Sequence, residues 1–143
     1  MSEQSIRTTG VLHFTISVRD HEAAAKYYSD LLGCTITRIN RHFAFMRCGD
    51  DHFVLAKIEN HVNPNPPGGT HHHHAFIVEP QEFDRAHELV KRRGIEILAY
   101  EDEGHRTFPG RHIYFHDPDG NGIEIVDPLT IKGGAPQKAE ASV

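Results

Sequence analysis

Apolar and polar side chains alternate along residues 11–18 in the pattern of a half-buried strand. In "VLHFTISV" the apolar residues recur at every second position on one face, and polar residues occupy the other. Asp20 is the predicted N-cap of a helix over "HEAAAKYYSDLLG" (21–33), and Gly33 is its predicted end. Further strands are predicted at 34–39, 42–48 and 52–58. The first half of the chain therefore has the order β-α-β-β-β.

The second half repeats this order after the Pro- and Asn-rich segment 59–69. "HHAFIV" (73–78) predicts a strand, and "PQEFDRAHELVKRRG" (80–94) predicts a helix that begins at a proline. Three more strands are predicted at 95–100, 111–116 and 122–126. The repeat favours an α+β fold of two βαβββ modules.

The repeat also sets the predicted domain organisation. We expect one domain over residues 1–131, with module one at about 10–59 and module two at about 71–128. Residues 132–143, "KGGAPQKAEASV", have the composition of a flexible C-terminal tail.

Thirteen histidines are the unusual feature of the composition, and four of them are consecutive at 71–74. The repeat selects one of the four, because "HFTISVRD" (13–20) aligns with "HHAFIVEP" (73–80). In this alignment His13 corresponds to His73, and alternation places each on the polar face of its strand.

Charge and composition exclude several classes of partner. The net charge is −5 and the basic residues are scattered, so no nucleic-acid partner is expected. Apolar runs fall well short of the roughly 18 residues of a membrane helix. The N-terminus lacks the pattern of a secretory signal, and the two cysteines are predicted to be reduced. We therefore expect a cytoplasmic protein without a membrane partner.

Glu124 interrupts the apolar strand "GIEIV" (122–126). A carboxylate in such a strand faces water, pairs with another group or binds a metal. Together with His13 and His73 it forms the set of two imidazoles and one carboxylate found in non-haem Fe(II) oxygenases. The residues therefore predict a metal site with His13, His73 and Glu124 as ligands. The alternative is that the histidines make local hydrogen bonds and Glu124 is solvated.

These motifs resemble the vicinal oxygen chelate superfamily, which includes extradiol dioxygenases, glyoxalases and fosfomycin-resistance proteins. The resemblance spans about residues 10–128. It is carried by "HFTISVRD", by "HHAFIV" and by "YFHDPDGNGIEIV" at the end of the second module. It implies a U-shaped mixed sheet around a divalent metal held by His13, His73 and Glu124. It also implies a homodimer.

Within this superfamily the motifs predict an extradiol-type dioxygenase. Tyr114, ten residues before Glu124, and His105, nine residues before Tyr114, match a functional tyrosine and a histidine of catechol-cleaving members. The acid–base histidine of those enzymes has no direct match, since Ile58 holds its place, and His61 is the candidate substitute. This resemblance implies Fe(II), a catechol-like aromatic substrate and dioxygen.

Three alternatives remain open at this stage, with Mn, Zn or Ni as possible metals. A glyoxalase-type isomerase would need a further carboxylate at the first-module equivalent of Glu124, where alignment places Phe53. A fosfomycin-resistance-type transferase would need a cationic pocket for a phosphonate. A non-catalytic module would bind a small ligand without turnover. Arginines that could supply the cationic pocket are Arg38, Arg41, Arg47, Arg106 and Arg111.

Overall fold

The computed structural model describes residues 4–103 and 107–128, and within them the chain divides after Val62 into two compact units. Over the described residues each unit has one helix and four strands in the order β-α-β-β-β, which confirms the predicted α+β fold. The first unit contains β1 His13–Val18, α1 His21–Leu32, β2 Thr35–Ile39, β3 Phe43–Cys48 and β4 Asp51–Lys57. The second contains β5 His73–Ile77, α2 Pro80–Arg92, β6 Ala99–Glu103, β7 Gly110–His116 and β8 Gly122–Asp127.

The first unit is a sheet of order β1-β4-β3-β2 in which β1 runs parallel to β4. Helix α1 begins where the Asp20 carboxylate accepts from the backbone of the first turn, and it ends at Gly33 with φ 68°. Tyr28 of this helix packs on Phe53 of β4, with ring centroids 5.5 Å apart. Alternation therefore places Phe53 on the helix-covered face, and His13 and its register partner His52 lie on the opposite, open face.

The second unit repeats this arrangement in the order β5-β8-β7-β6, with β5 parallel to β8. Its helix-covered face is apolar and buried at Ile113, Phe115, Ile123 and Ile125, and Phe83 of α2 is also fully buried. Because neighbouring residues point to opposite faces, residues between these apolar positions lie on the open face of the sheet. That face carries His73, Glu124, Tyr114 and His112.

The structure corrects one predicted strand. Strand β6 was predicted over 95–100, yet it runs from Ala99 to Glu103 and includes three acidic residues. β6 is an edge strand. Its bounds are set by its backbone pairing with β7, in which Asp102 is opposite Arg111. Hydrophobicity alone does not report that pairing.

Helices are too short or too polar to cross a membrane anywhere in the described ranges. Cys34 and Cys48 are free thiols. The predicted tail 132–143 and the candidate residue His105 lie outside the described residues.

Candidate metal centre

His73 opens β5 with its imidazole ring held in one orientation. Its Nδ1 lies 2.5 Å from the carbonyl oxygen of Thr70. A carbonyl only accepts hydrogen bonds, so Nδ1 must carry the proton. The Nε2 atom is then left to accept a proton or bind a cation, and the side chain is 31% exposed.

Glu124 lies in the middle of β8, and its residue is only 6% exposed. Its Oε2 lies 3.0 Å from Nε2 of His73. Its Oε1 accepts from the Tyr114 hydroxyl at 3.2 Å and pairs with Nδ1 of His112 in a short contact. Both carboxylate oxygens are therefore directed by neighbouring side chains.

These neighbours keep Glu124 ionised despite its burial. Burial raises the pKa of Glu124, but the hydrogen bond and charge of His112, the charge of His73 and the Tyr114 hydroxyl outweigh it, so the pKa is lowered. For His112 burial lowers the pKa, and the carboxylate of Glu124 more than compensates, so the net direction is upward. The open face thus presents an anionic oxygen at Oε2.

The pair of His73 and Glu124 fits a divalent cation. Nδ1 of His73 donates to Thr70, and Nε2 faces Oε2 across 3.0 Å, where a proton bridges the two atoms in the metal-free chain. A cation that displaced this proton would find one imidazole nitrogen and one carboxylate oxygen as donors. If two ligand atoms each lie about 2.1 Å from one ion and subtend a right angle at it, they are about 3 Å apart, which matches the separation of Nε2 and Oε2. Imidazole with carboxylate suits Mn, Fe, Zn or Ni. Over the described residues no group of three or more His, Cys, Asp or Glu side chains forms a complete metal site, so the pair supplies two ligands.

The other predicted residues lie at different places. His13 belongs to the first unit, where it is exposed on the open face of the sheet beside a cavity of about 280 Å³. That cavity is also lined by Leu12, Phe45, Met46, His52, Phe53 and Val54. His61 is half-buried in the loop after β4. The second unit therefore brings together Glu124, His73 and Tyr114, whereas His13 and His61 belong to the first unit.

Sequence reasoning missed two members of this cluster. His112 contacts Glu124 directly, and Glu101 Oε2 lies 3.4 Å from the Tyr114 hydroxyl. His112 and Tyr114 are two residues apart in one strand and so share a face, which was the available signal. The contact depends on the register of β7 against β8, in which Tyr114 faces Glu124 and His112 lies diagonally from it.

The register also revises the equivalence between the modules. His13 pairs with His52 and His73 pairs with Gly122, so the first-unit equivalent of Glu124 is Val54 and not Phe53. Neither residue carries a carboxylate. Among the described residues, this position therefore does not provide the carboxylate that a glyoxalase-type site would use as its fourth ligand.

The arginines considered for a phosphonate pocket lie in different parts of the chain. Arg111 is used inside the second unit, where it donates to Asp127 at 2.8 and 3.1 Å and to Asp84 at 2.7 Å. It is thus part of the packing of α2 on the sheet. Arg106 lies outside the described residues, and the candidates Arg38, Arg41 and Arg47 are exposed on the first unit.

A family model described as the Glyoxalase/Bleomycin resistance protein/Dioxygenase superfamily matches residues 10–125. The chain belongs to this superfamily. The resemblance carried by the sequence motifs is thereby confirmed at the level of the superfamily.

Similar proteins within the superfamily include two transferases and a solved fosfomycin-resistance protein. Glutathione transferase FosA of Serratia marcescens is 26% identical over 113 residues, which cover 79% of this chain and 77% of that protein. Metallothiol transferase FosB of Staphylococcus epidermidis is 26% identical over 117 residues, which cover 82% and 80%. The fosfomycin resistance protein FosX of Listeria monocytogenes, crystallised with Mn(II) and sulfate, shares the fold with a TM-score of 0.70. It is 20% identical, and the match covers 85% of this chain and 91% of that one.

These relatives contradict the predicted reaction. The expectation of an extradiol dioxygenase, an oxidoreductase of aromatic catabolism acting on a catechol with dioxygen, was wrong. The reason is that the predicted His-His-Glu ligand set is common to extradiol dioxygenases and fosfomycin-resistance proteins, so it does not distinguish the two. The one departure from the dioxygenase pattern that the sequence analysis named was Ile58, just beyond the end of β4, at the place expected for an acid–base histidine.

Proposed function

We propose that this protein is a metal-dependent enzyme of the fosfomycin-resistance type, which adds a thiol or water to a small electrophile such as an epoxide. The observation that carries the proposal is the 3.0 Å approach of His73 Nε2 to Glu124 Oε2. Two donor atoms arranged in this way suit a divalent cation. The similarity to FosA and FosB, which are transferases by name, supports the reaction class.

The proposed ligands are His73 and Glu124, with His13 as the third on the evidence of the sequence repeat. A divalent cation bound there would act as a Lewis acid toward oxygen atoms of the substrate. His112 and Tyr114 hold one oxygen of Glu124, so the other oxygen keeps its direction and its charge. Such supporting partners commonly change metal affinity 10- to 100-fold when they are removed.

Mn(II) is the metal to test first, because FosX of Listeria monocytogenes was crystallised with it. Fe(II), Zn and Ni remain alternatives for the same donors. The homodimer, the cytoplasmic location and the single domain over 1–131 also remain predictions. The same holds for His61 as the acid–base group and for His105 and Tyr114 as groups that orient and stabilise charged intermediates.

The test is a direct assay of metal and turnover. Purified protein is titrated with Mn(II), and the loaded protein is incubated with fosfomycin and either glutathione, cysteine or water alone. Phosphorus NMR then distinguishes a thiol adduct from a diol. An adduct supports a transferase and a diol supports a hydrolase, whereas failure to bind Mn(II), Fe(II), Zn or Ni overturns the proposal.

A second candidate is a ligand-binding module without turnover. The cavity beside His13 favours it, since apolar side chains such as Phe45 and Val54 dominate its lining. A guest with an apolar part would suit this lining better than a bare phosphonate. Metal-dependent ligand binding with no product in the NMR assay would support this second candidate.

A further inference from the structure

A loop of residues 63–72 contains a buried amide that contacts the starts of two strands. Asn65 is 4% exposed. Its Nδ2 donates to the carbonyl of His72 at 2.8 Å and to the carbonyl of Gly120 at 3.0 Å, and its Oδ1 accepts from the His72 N–H at 3.0 Å. Because carbonyls only accept hydrogen bonds, the network fixes which end of the amide is which.

These bonds join the approach to β5 and the approach to β8 through a single side chain. His72 immediately precedes His73, and Gly120 lies two residues before Gly122, the first residue of β8. The two strands also meet closely here, since Gly122 donates to the His72 carbonyl at 3.2 Å. A Cβ at Gly122 would lie 2.5 Å from that carbonyl oxygen. Asn65 therefore acts at the place where the register of β5 against β8 is set.

The same loop orients two imidazoles by backbone carbonyls. Thr70 accepts from His73 Nδ1 at 2.5 Å, and Gly69 accepts from His116 Nε2 at 2.6 Å. Gly69 is itself held by a turn in which its N–H bonds the Pro66 carbonyl at 2.8 Å. The loop thus determines which nitrogen of His73 keeps its proton and which one faces Glu124.

We infer that Asn65 is a positioning residue of the metal centre, which acts through the 63–72 loop to hold His73 Nε2 at Glu124 Oε2 while His73 Nδ1 is bonded to the Thr70 carbonyl. This inference rests on the proposed function for its effect on metal affinity. The contact of His73 Nδ1 with the Thr70 carbonyl is present without any metal.

Asparagine is chemically specific at this position. Both hydrogens of Nδ2 are used on carbonyl oxygens, which an aspartate of the same size would repel. Asn65→Asp therefore removes the donor function while it keeps the volume, and Asn65→Ala removes the whole side chain. Asn40→Ala is a matched control, because Asn40 Oδ1 accepts from the backbone of His42 and Phe43 at 3.0 and 2.9 Å in the other unit.

The experiment measures two quantities on the full chain. Mn(II) affinity is measured by titration for the wild type, both Asn65 variants and the control. The position of the His73 ring proton is measured by long-range proton–nitrogen NMR at pH 8.5, with the resonance assigned by comparison with His73→Gln. We expect the Asn65 variants to bind Mn(II) about tenfold more weakly or worse, and the control to stay within about twofold.

The NMR result separates this inference from the proposed function. We expect the wild type to carry its proton on Nδ1 and Asn65→Ala to show a mixture of tautomers. A wild-type His73 with unprotonated Nδ1 overturns the inference, even if the variants do not fold. Folded variants with wild-type affinity and tautomer also overturn it. If the wild type binds no Mn(II), the proposed function loses its first metal while the tautomer data still decide the role of Asn65.

Discussion

Replacing Glu124 by glutamine should abolish the metal site without unfolding the protein. Glutamine keeps the shape, and its Oε1 can still accept from His112 and Tyr114. Its NH₂ group can donate to His73 Nε2, which accepts because the proton of His73 is on Nδ1. Hence the hydrogen bonds of the metal-free cluster have a neutral replacement, and only the anionic ligand is lost.

The magnitudes follow from these contacts. Loss of the buried ion pair with His112 is offset by the removal of a buried charge, so we expect a change of less than about 2 kcal/mol in the free energy of unfolding without metal. Metal at a hundred times its dissociation constant stabilises a protein by about 2.7 kcal/mol. For a chain of this size that corresponds to a rise of about 5–10 °C in Tm.

The assay is thermal unfolding with and without Mn(II). Mn(II) should raise the Tm of the wild type by the full amount, and the same metal concentration should leave the Tm of Glu124→Gln unchanged. The control is Glu96→Gln, since Glu96 is an exposed glutamate in the loop before β6 and should behave as the wild type. A Glu124→Gln protein that Mn(II) stabilises as strongly as the wild type would refute the assignment of Glu124 as a ligand.

Two further predictions concern the packing of each unit. Arg111→Met leaves the fully buried Asp127 carboxylate without its guanidinium partner, and should cost about 3–5 kcal/mol in urea unfolding. Adding Asp127→Asn should recover part of that loss, and a cost below about 1 kcal/mol for Arg111→Met would contradict the structural role. Burial and the neighbouring Cys48 raise the pKa of Cys34 to about 12, so its thiol stays protonated at pH 8. Iodoacetamide should therefore label Cys48 in the folded protein and Cys34 only after denaturation; mass spectrometry of the peptides checks this, and equal labelling of both would show that Cys34 is accessible.

Several features followed from local pattern alone. Alternation identified the strands and which side chains share a face, because side-chain direction in a strand reverses at every residue. The N-cap at Asp20 and the helix end at Gly33 were predicted because both depend on a few neighbouring backbone groups. The offset between the two halves chose His73 among four histidines, and its Nε2 lies 3.0 Å from Glu124 Oε2. Its role as a metal ligand stays a prediction.

Other features required the tertiary structure. The contact of His112 with Glu124, the extent of β6 and the equivalence of Val54 with Glu124 all depend on how strands pair, and no short stretch of sequence encodes that register. The role of Asn65 is a still clearer case. It joins residues 72 and 120, which are far apart in the chain. An asparagine in a loop rich in proline and glycine looks like an ordinary turn residue until the fold buries it between two carbonyls.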